Sequence, residues 1–258
     1  MSAPRTPANP GTVYLVGAGP GAADLLTVRA ARLLARADIV LHDALVGPEV
    51  LALAAQARRV PVGKRSGRLS SAQSFINKQL VDAAQRHAVV VRLKGGDPML
   101  FGRAQEEIAA LAAAGIPVEV VPGISAAFGA AASVGRSLTQ RGMSRSLVLL
   151  TPAVGKGETG HDWARAALAA DTAVLYMAGQ QARAIADGLM AVGVPGSRPA
   201  VIVESASLPE ERILATRVDR LGDTALALGS GPALIMIGDV YAGLDAGAVR
   251  ETLRAVAA

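Results

Sequence analysis

The sequence predicts an α/β protein made of two α/β domains. Short apolar runs rich in Val, Ile and Leu alternate with longer segments rich in Ala and Leu that have a helical period. The alternation occurs in two series along 258 residues, which is enough chain for two domains. The break falls at Val121-Pro122-Gly123. We therefore expect a flexible tail over residues 1–11, an N-terminal domain over 12–121 and a C-terminal domain over 122–258.

Five strands and four helices are predicted in the first domain. The strands are expected at residues 12–16, 38–42, 59–62, 88–93 and 118–121. The helices are expected at residues 22–35, 48–57, 70–86 and 104–114. Ser70 and Gln73 form a capping-box-like start of the third helix, and Gly115 with Pro117 ends the fourth. Strict alternation favours a mostly parallel sheet with right-handed crossovers.

A second series of the same kind predicts the second domain. Its strands are expected at residues 146–151, 172–176, 200–203 and 233–237. Its clearest helices are expected at residues 124–133 and 178–192. Residues 213–216 are consistent with an antiparallel strand, and the glycine-rich residues 153–161 indicate an exposed loop.

Composition excludes several classes of protein. Cysteine is absent, which rules out disulfides, thiolate metal ligands and a cysteine nucleophile. The three histidines, His42, His87 and His161, are too widely spaced to indicate a metal site. No apolar run approaches the roughly 18 residues that span a bilayer, and residues 1–10 lack the apolar core of a signal peptide, so we expect a cytoplasmic protein. The net charge of +5 suits an anionic partner, but scattered basic residues and 3% aromatic content argue against nucleic acid.

Three glycine-containing segments follow predicted strands and carry the candidate sites, because ligands of parallel α/β sheets bind beyond the carboxyl ends of strands. Gly17-Ala18-Gly19-Pro20-Gly21-Ala22 fits the G-x-G-x-x-A dinucleotide pattern, although Pro20 lacks a donor that a phosphate-binding turn needs. Gly95-Gly96-Asp97-Pro98 offers a bare backbone and one carboxylate, or else a tight turn in which Asp97 caps the next helix. Pro122-Gly123-Ile124-Ser125 offers free amides and a hydroxyl, or else a plain helix N-cap.

Together these segments resemble the uroporphyrinogen-III C-methyltransferases of the tetrapyrrole methylase superfamily. The matching stretches are VYLVGAGPG (13–21), ADIVLHDALV (37–46), VGKR (62–65), VVRLKGGDP (90–98), FGR (101–103), GIPVEVVPGISAA (115–127), LTQR (138–141), TAVLYM (172–177), VIVESAS (201–207) and GPALIMIGDV (231–240). They cover about residues 12–242, and RLKGGDP followed by FGR and EE is the specific part.

The resemblance implies a fold and a reaction. The fold is two α/β domains with a cofactor cleft between them, usually in a homodimer. S-adenosylmethionine donates the methyl groups, S-adenosylhomocysteine is the product, and no metal takes part. Uroporphyrinogen III is methylated at C2 and then C7 to precorrin-2, which leads to siroheme and cobalamin. The chain resembles the methyltransferase alone, without an appended dehydrogenase–chelatase module, and a membrane partner is not expected.

The resemblance also implies roles for particular residues. Asp43 matches the proton acceptor and Lys64 the proton donor. The positions that match cofactor contacts are Pro20, Gly95, Gly96, Asp97, Leu100, Ser125, Ala126, Met177 and Ala206. Guanidinium groups pair with carboxylates, and the arginines beside the matched loops are candidates for binding the substrate's carboxylates, namely Arg65, Arg68, Arg103 and Arg141.

The sequence departs from the family pattern at several positions, and other functions remain as alternatives. His42 and Gln140 stand where the family often has Tyr and His, and Thr151-Pro152-Ala153 replaces a Thr-Gly-His. The two histidine positions of the family in the second half are therefore not matched. Three alternatives stay open: another methyltransferase on the same scaffold, such as a later corrin-ring or diphthine-type enzyme, a non-catalytic cofactor-binding protein, and a dinucleotide oxidoreductase. The RLKGGDP segment favours the uroporphyrinogen-III enzyme.

Overall fold

The structure is a computed structural model that describes residues 10–62, 73–154 and 159–244. It divides into two compact units, Met1–Ala126 and Ala127–Ala258, and each has its own sheet. The domain limits drawn from the sequence stay predictions. The tail over residues 1–9, the start of the third helix at Ser70 and residues 155–158 of the predicted loop lie outside the described residues.

The first unit contains a five-stranded parallel sheet. Its strands are β1 (Thr12–Gly17), β2 (Ile39–His42), β3 (Arg58–Pro61), β4 (Val89–Lys94) and β5 (Val118–Val121). Their order is β3-β2-β4-β1-β5, and every neighbouring pair runs parallel, as the alternation of strands and helices predicted. Because all five strands point the same way, their carboxyl ends meet at one edge of the sheet.

The described helices of the first unit are α1 (Val28–Ala35), α2 (Pro48–Ala52), α3 (Gln73–Ala84) and α4 (Ala104–Ala113). Helices α1, α2 and α4 are shorter than the sequence predicts. The first helix begins later than the sequence predicts, because Ala23–Leu25 form a 3-10 turn and Thr27 caps the helix by accepting the Ala30 N–H at 3.1 Å. Helix α2 ends five residues before the predicted end.

Apolar side chains cover both faces of the first sheet, which is why its strands read as continuous apolar runs. Leu15, Leu41 and Leu111 belong to the cluster on one face, and Leu34 and Leu93 belong to the cluster on the other. The central strands are therefore buried, whereas the edge strands β3 and β5 keep exposed residues.

The second unit contains a five-stranded mixed sheet. Its strands are β6 (Leu147–Leu150), β7 (Thr172–Leu175), β8 (Pro199–Glu204), β9 (Arg212–Arg217) and β10 (Ala233–Gly238), in the order β6-β7-β10-β8-β9. Strands β6 and β7 are parallel, and the other three pairs are antiparallel. The antiparallel strand expected at residues 213–216 is confirmed as β9. The insertion of β10 between β7 and β8 was not predicted.

The helices that follow the first sheet are α5 (Ala126–Val134), α6 (Trp163–Ala169), α7 (Ala182–Ala191) and α8 (Leu221–Thr224), and further 3-10 turns lie at Gly179–Gln181, Val218–Arg220, Ala225–Ala227 and Asp239–Tyr241. Helices α6, α7 and α8 contribute residues to one apolar cluster on the second sheet. Leu175, Ile185 and Ile235 are in the cluster. Helix α6 was not predicted, although Asp162 caps it by accepting the Arg165 N–H. Within the described ranges, every helix is too short or too polar to cross a bilayer.

Candidate functional site

The loops that follow β1 and β4 are joined by backbone hydrogen bonds at the carboxyl edge of the first sheet. Gly96 N donates to Gly19 O at 2.8 Å, and Gly19 N donates to Gly96 O at 3.2 Å, which makes a short antiparallel bridge. Ala18 N donates to Lys94 O at 2.7 Å. Two of the three glycine-containing segments therefore form one continuous backbone surface.

The loop that follows β5 packs against the same two loops at distances that only glycine allows. A Cβ atom added to Gly17 would lie 2.6 Å from the Gly123 Cα and from the Gly96 carbonyl oxygen. A Cβ atom added to Gly123 would lie 2.4 Å from that oxygen. These glycines are required for the close approach of three backbones, whatever ligand they also contact.

Asp97 joins the second loop to the third. Its Oδ2 accepts the Gly123 N–H at 2.9 Å, and its Oδ1 accepts the Met99 N–H at 2.8 Å. The interpretation of Asp97 as the cap of the following helix is wrong, because the N-cap of α4 is Arg103 and no side chain caps it. The Asp97 carboxylate is thus held by backbone amides of the first unit.

Other predicted positions of the first unit lie around this joined backbone with different exposure. Gly95 is exposed, and an added Cβ would meet only the Leu45 Cβ, at 3.7 Å. Pro20 and Leu100 are half-buried, and Ser125 is buried. Gly95 is therefore the place where bare backbone faces open space.

Asp43 extends from the end of β2 beside β4, and a buried arginine holds it there. Its side chain is 30% exposed, and its Oδ1 accepts a hydrogen bond from Arg92 Nη2 at 2.5 Å. Its backbone N–H donates to the Leu93 carbonyl at 3.1 Å. Both the backbone and the carboxylate of Asp43 are fixed at the sheet edge, and the side chain still reaches solvent.

Arg92 belongs to a buried group of charges that the sequence reasoning missed. Glu107 on α4 is fully buried, and its Oε1 accepts from Arg92 Nε at 3.0 Å. Lys94 Nζ donates to Glu107 at 3.1 and 3.2 Å, and Gln73 Nε2 donates to it at 3.1 Å. Burial lowers the pKa of Lys94, and neighbouring Arg92 lowers it further, whereas Glu107 and Asp43 raise it.

A sequence signal for this group was present in β4. Arg92 and Lys94 are two residues apart, so they lie on the same face of a central strand whose other residues are apolar. Two cations on a covered face of a sheet require an acid on the covering helix. In the sequence, Glu107 stands out only as the second residue of the EE pair that resembles the family.

The turn before α4 is strained and exposed. Phe101 and Arg103 have φ of 51° and 54°, in the left-handed region that side chains with a Cβ rarely occupy. Arg103 Nε and Nη2 donate to the two carboxylate oxygens of Glu106 at 2.7 and 2.8 Å. The hydrogen bond and charge of Arg103 lower the pKa of Glu106.

The second unit places two predicted cofactor positions beyond the ends of strands that run in the same direction. Met177 follows β7, and Ala206 follows β8, with β10 antiparallel to both strands between them. Met177 has φ of 55° and is 56% exposed. Ser205 and Ser207, on either side of Ala206, have φ of 53° and 66°. Such strain clusters at functional sites in proteins.

Arg141 lies in a short hairpin of the second unit. Ser144 N donates to Gln140 O at 2.8 Å, and Gln140 N donates to Ser144 O at 2.9 Å, so the exposed arginine is presented in the turn between them. Lys64, Arg65 and Arg68 lie outside the described residues. Among residues 10–62, 73–154 and 159–244, no group of three or more His, Asp or Glu side chains could hold a metal ion.

Curated relatives of the chain include siroheme synthases. The siroheme synthase of Zymomonas mobilis subsp. mobilis is 46% identical over 231 residues, which cover 89% of this chain and 49% of that protein. Siroheme synthase 1 of Halorhodospira halophila is 44% identical over 237 residues, with 90% and 48% covered. The chain thus spans about half the length of the curated relatives it matches.

Solved structures and a family model agree on the scaffold. A uroporphyrin-III C-methyl transferase from Thermus thermophilus, complexed with S-adenyl homocysteine, matches with a TM-score of 0.79 and 39% identity over 89% of this chain and 98% of that one. A cobalt precorrin-4 methyltransferase matches with a TM-score of 0.78 and 28% identity over 89% and 95%. The family model described as Tetrapyrrole (Corrin/Porphyrin) Methylases matches residues 12–222. The chain belongs to the tetrapyrrole methylase family.

Proposed function

We propose that this chain transfers methyl groups from S-adenosylmethionine to C2 and then C7 of uroporphyrinogen III, giving precorrin-2 for siroheme or cobalamin biosynthesis. The main support is the match to the Thermus thermophilus uroporphyrin-III C-methyl transferase over 98% of that chain. The siroheme synthases support the same pathway. Since they are twice as long, only the part that matches this chain supports the proposal.

The residues proposed to hold the cofactor are suited to a ligand that lacks phosphate. They are Pro20, Gly95, Gly96, Asp97, Leu100, Ser125, Ala126, Met177 and Ala206. The exposed backbone at Gly95 leaves room for a ligand to approach closely, and the missing N–H of Pro20 costs nothing when there is no phosphate to bind. S-adenosylmethionine, when bound, supplies a methyl group on a positively charged sulfur that needs no metal to activate it.

Asp43 is proposed to accept the proton that the methylated pyrrole ring loses. The carboxylate is partly exposed, so substrate can reach it, and Arg92 fixes its direction with a 2.5 Å hydrogen bond. A general base must lie within hydrogen-bond reach of the proton it takes, and its orientation is therefore part of its efficiency. Lys64 is proposed as the proton donor. The exposed Arg103 and Arg141, with Arg65 and Arg68, are proposed to bind substrate carboxylates.

The direct test is methyl transfer by the purified chain under reducing conditions. The protein is incubated with methyl-labelled S-adenosylmethionine and uroporphyrinogen III, and the product is analysed by mass spectrometry after oxidation. We expect a product that carries two labelled methyl groups. Transfer to a later precorrin only, with none to uroporphyrinogen III, would contradict the proposed substrate and favour the second candidate, a later tetrapyrrole methylase like the cobalt precorrin-4 enzyme.

We also propose that the chain works as a cytoplasmic homodimer. The family resemblance supports this state, and light scattering of the purified protein measures it. A mass of one chain at micromolar concentration would contradict the dimer.

A further inference from the structure

We propose that Glu107 is a positioning residue for Asp43 and that it acts through Arg92. The inference rests on the proposed function, in which Asp43 accepts a proton. It concerns a carboxylate that is fully buried and therefore touches neither substrate nor solvent. Its effect on catalysis can only be indirect, through the side chains that it holds.

The first step is the geometry of Arg92. Its Nε donates to Glu107 Oε1 at 3.0 Å, its Nη1 donates to the Leu93 carbonyl at 3.3 Å, and its Nη2 donates to Asp43 Oδ1 at 2.5 Å. The guanidinium group is planar and rigid, so the bonds at Nε and Nη1 determine where Nη2 points. Glu107 therefore sets the direction of the hydrogen bond that orients Asp43.

The second step is that Glu107 is itself held firmly. Lys94 Nζ donates to both of its carboxylate oxygens, and Gln73 Nε2 from α3 donates to one of them. The carboxylate thus has partners on the neighbouring helix α3 and on β4, and its own backbone is in the first turns of α4. A side chain fixed from several elements cannot swing to follow Arg92, so Arg92 adjusts to it.

The third step is the charge balance. Arg92 and Lys94 are two basic groups, and Glu107 and Asp43 are two acidic groups, so their formal charges balance. Buried ion pairs contribute little net stability compared with apolar side chains of similar volume, whereas removal of one partner alone is strongly destabilising. Stability therefore gives a weak reason for these four charges, and the control of a side-chain direction gives a stronger one. The test must remove charges in pairs.

The experiment compares two double variants that each lose one positive and one negative charge, K94M/E107Q and K94M/E107M. Glutamine leaves an oxygen for Arg92 Nε, and methionine of similar volume leaves none. We expect kcat of K94M/E107M to be about tenfold or more below that of K94M/E107Q. Between the two variants, the dissociation constant for S-adenosylhomocysteine and the KM for uroporphyrinogen III should each agree within about twofold, because the side chains of Lys94 and Glu107 are only 4% and 0% exposed.

A matched control and a second variant complete the design. Glu119→Gln breaks the exposed ion pair with Arg29 and should leave kcat unchanged. If K94M/E107M does not fold, as judged by circular dichroism and Tm, Glu107→Asp keeps the charge and withdraws the carboxylate by one methylene, and kcat should again fall about tenfold. If the folded variants have equal kcat and the wild type transfers methyl groups, the positioning role of Glu107 is overturned and the proposed function is not. Absence of methyl transfer in the wild type overturns the proposed function as well.

Discussion

At the scale of single residues, the edge of the first sheet carries both an oriented carboxylate and a stretch of main chain without a side chain. Asp43 is oriented by the buried Arg92, and Gly95 presents a main chain without a side chain to open space. The two positions belong to loops after neighbouring strands, β2 and β4. Each can be altered alone, and the two changes should affect different steps of the proposed reaction.

Replacing Asp43 by Asn should abolish proton transfer and leave cofactor binding intact. Asn retains an oxygen for Arg92 Nη2 but cannot accept a proton, so we expect kcat to fall by about a hundredfold or more. Steady-state kinetics and calorimetry with S-adenosylhomocysteine measure the two effects. Asp82→Asn on α3 is the matched control. A kcat within about threefold of the wild-type value would remove Asp43 from the mechanism.

Replacing Gly95 by Ala should weaken cofactor binding without weakening the fold. The added methyl group meets only the Leu45 Cβ at 3.7 Å, so it occupies the open space beside the main chain. We expect the dissociation constant for S-adenosylhomocysteine to rise about tenfold, which is a loss of about 1.4 kcal/mol of binding free energy.

Two other glycines supply the controls for Gly95→Ala. Gly47→Ala, also into open space, should change neither affinity nor Tm. Gly123→Ala should lower the free energy of unfolding by about 1–3 kcal/mol or more, because the new Cβ overlaps the Gly96 oxygen. Unchanged affinity in Gly95→Ala would show that the cofactor does not approach this edge.

Candidate positions that lie in a recurring motif stand out in the sequence, and their roles stay predictions, whereas the distant partner of a buried charge does not stand out. Asp43 and the Gly95-Gly96-Asp97 segment stand out because they lie in stretches that match the family. Arg92 and Lys94 lie in the central strand β4, and their partner Glu107 is 15 and 13 residues further along the chain, on α4. Nothing in the local spacing shows that an exposed-looking acid on a helix faces inward.

At the scale of elements, the beginning of β6 depends on one carboxylate. Asp171 Oδ2 accepts the Arg145 N–H at 2.8 Å, the Ser146 N–H at 2.9 Å and the Ser146 hydroxyl at 2.8 Å. These hydrogen bonds, that from the Arg145 N–H foremost, lower the pKa of Asp171 below its ordinary value. The residue thereby connects the start of β7 to the start of β6.

The pH dependence of stability should show this connection. The pKa of Asp171 is lower in the folded chain than its ordinary value of 3.8. The ionised carboxylate therefore stabilises the fold above pH 3.8, and this stabilisation is lost as the pH falls through the pKa of the folded chain. We expect Asp171→Asn to lower the free energy of unfolding at pH 7, and we expect the difference in free energy between variant and wild type to be smaller near pH 2. Urea unfolding at several pH values measures this difference, with Asp187→Asn as the control. A difference that is constant with pH would contradict the assignment.

The elements that the sequence missed depend on contacts between strands and on caps. Periodicity predicts the ten strands of the described residues to within about two residues. It does not set the direction of β10, because direction is determined by pairing with β7 and β8. Helix α6 is only seven residues long and follows a glycine-rich segment. The local feature that marks its start is Asp162, whose side chain accepts the Arg165 N–H.

At the scale of the whole molecule, the chain consists of two α/β units of the tetrapyrrole methylase family, each with its own apolar core. The two-domain α/β class was predictable because the alternation of strands and helices repeats. The direction of the strands in the second sheet was not predictable from the same alternation, since long connections permit either direction.

Ligand binding by the intact chain should raise its thermal stability selectively. S-adenosylhomocysteine at a hundred times its dissociation constant adds about 2.7 kcal/mol to the free energy of unfolding of a protein that binds it only when folded. For a chain of this size the shift in Tm is roughly 5–10 °C. Scanning calorimetry with S-adenosylhomocysteine, and separately with NADH, decides between a methylase and a dinucleotide enzyme. Stabilisation by NADH alone would contradict the proposed cofactor.

The mutual backbone packing of Gly17, Gly96 and Gly123 restricts how this scaffold can be re-engineered. A loop transplanted from a relative with a different substrate must reproduce the path of its two neighbours to within a few tenths of an ångström. Exchanging one loop alone would force the other two apart. Chimeras intended to redirect methylation should therefore carry all three segments from the same donor.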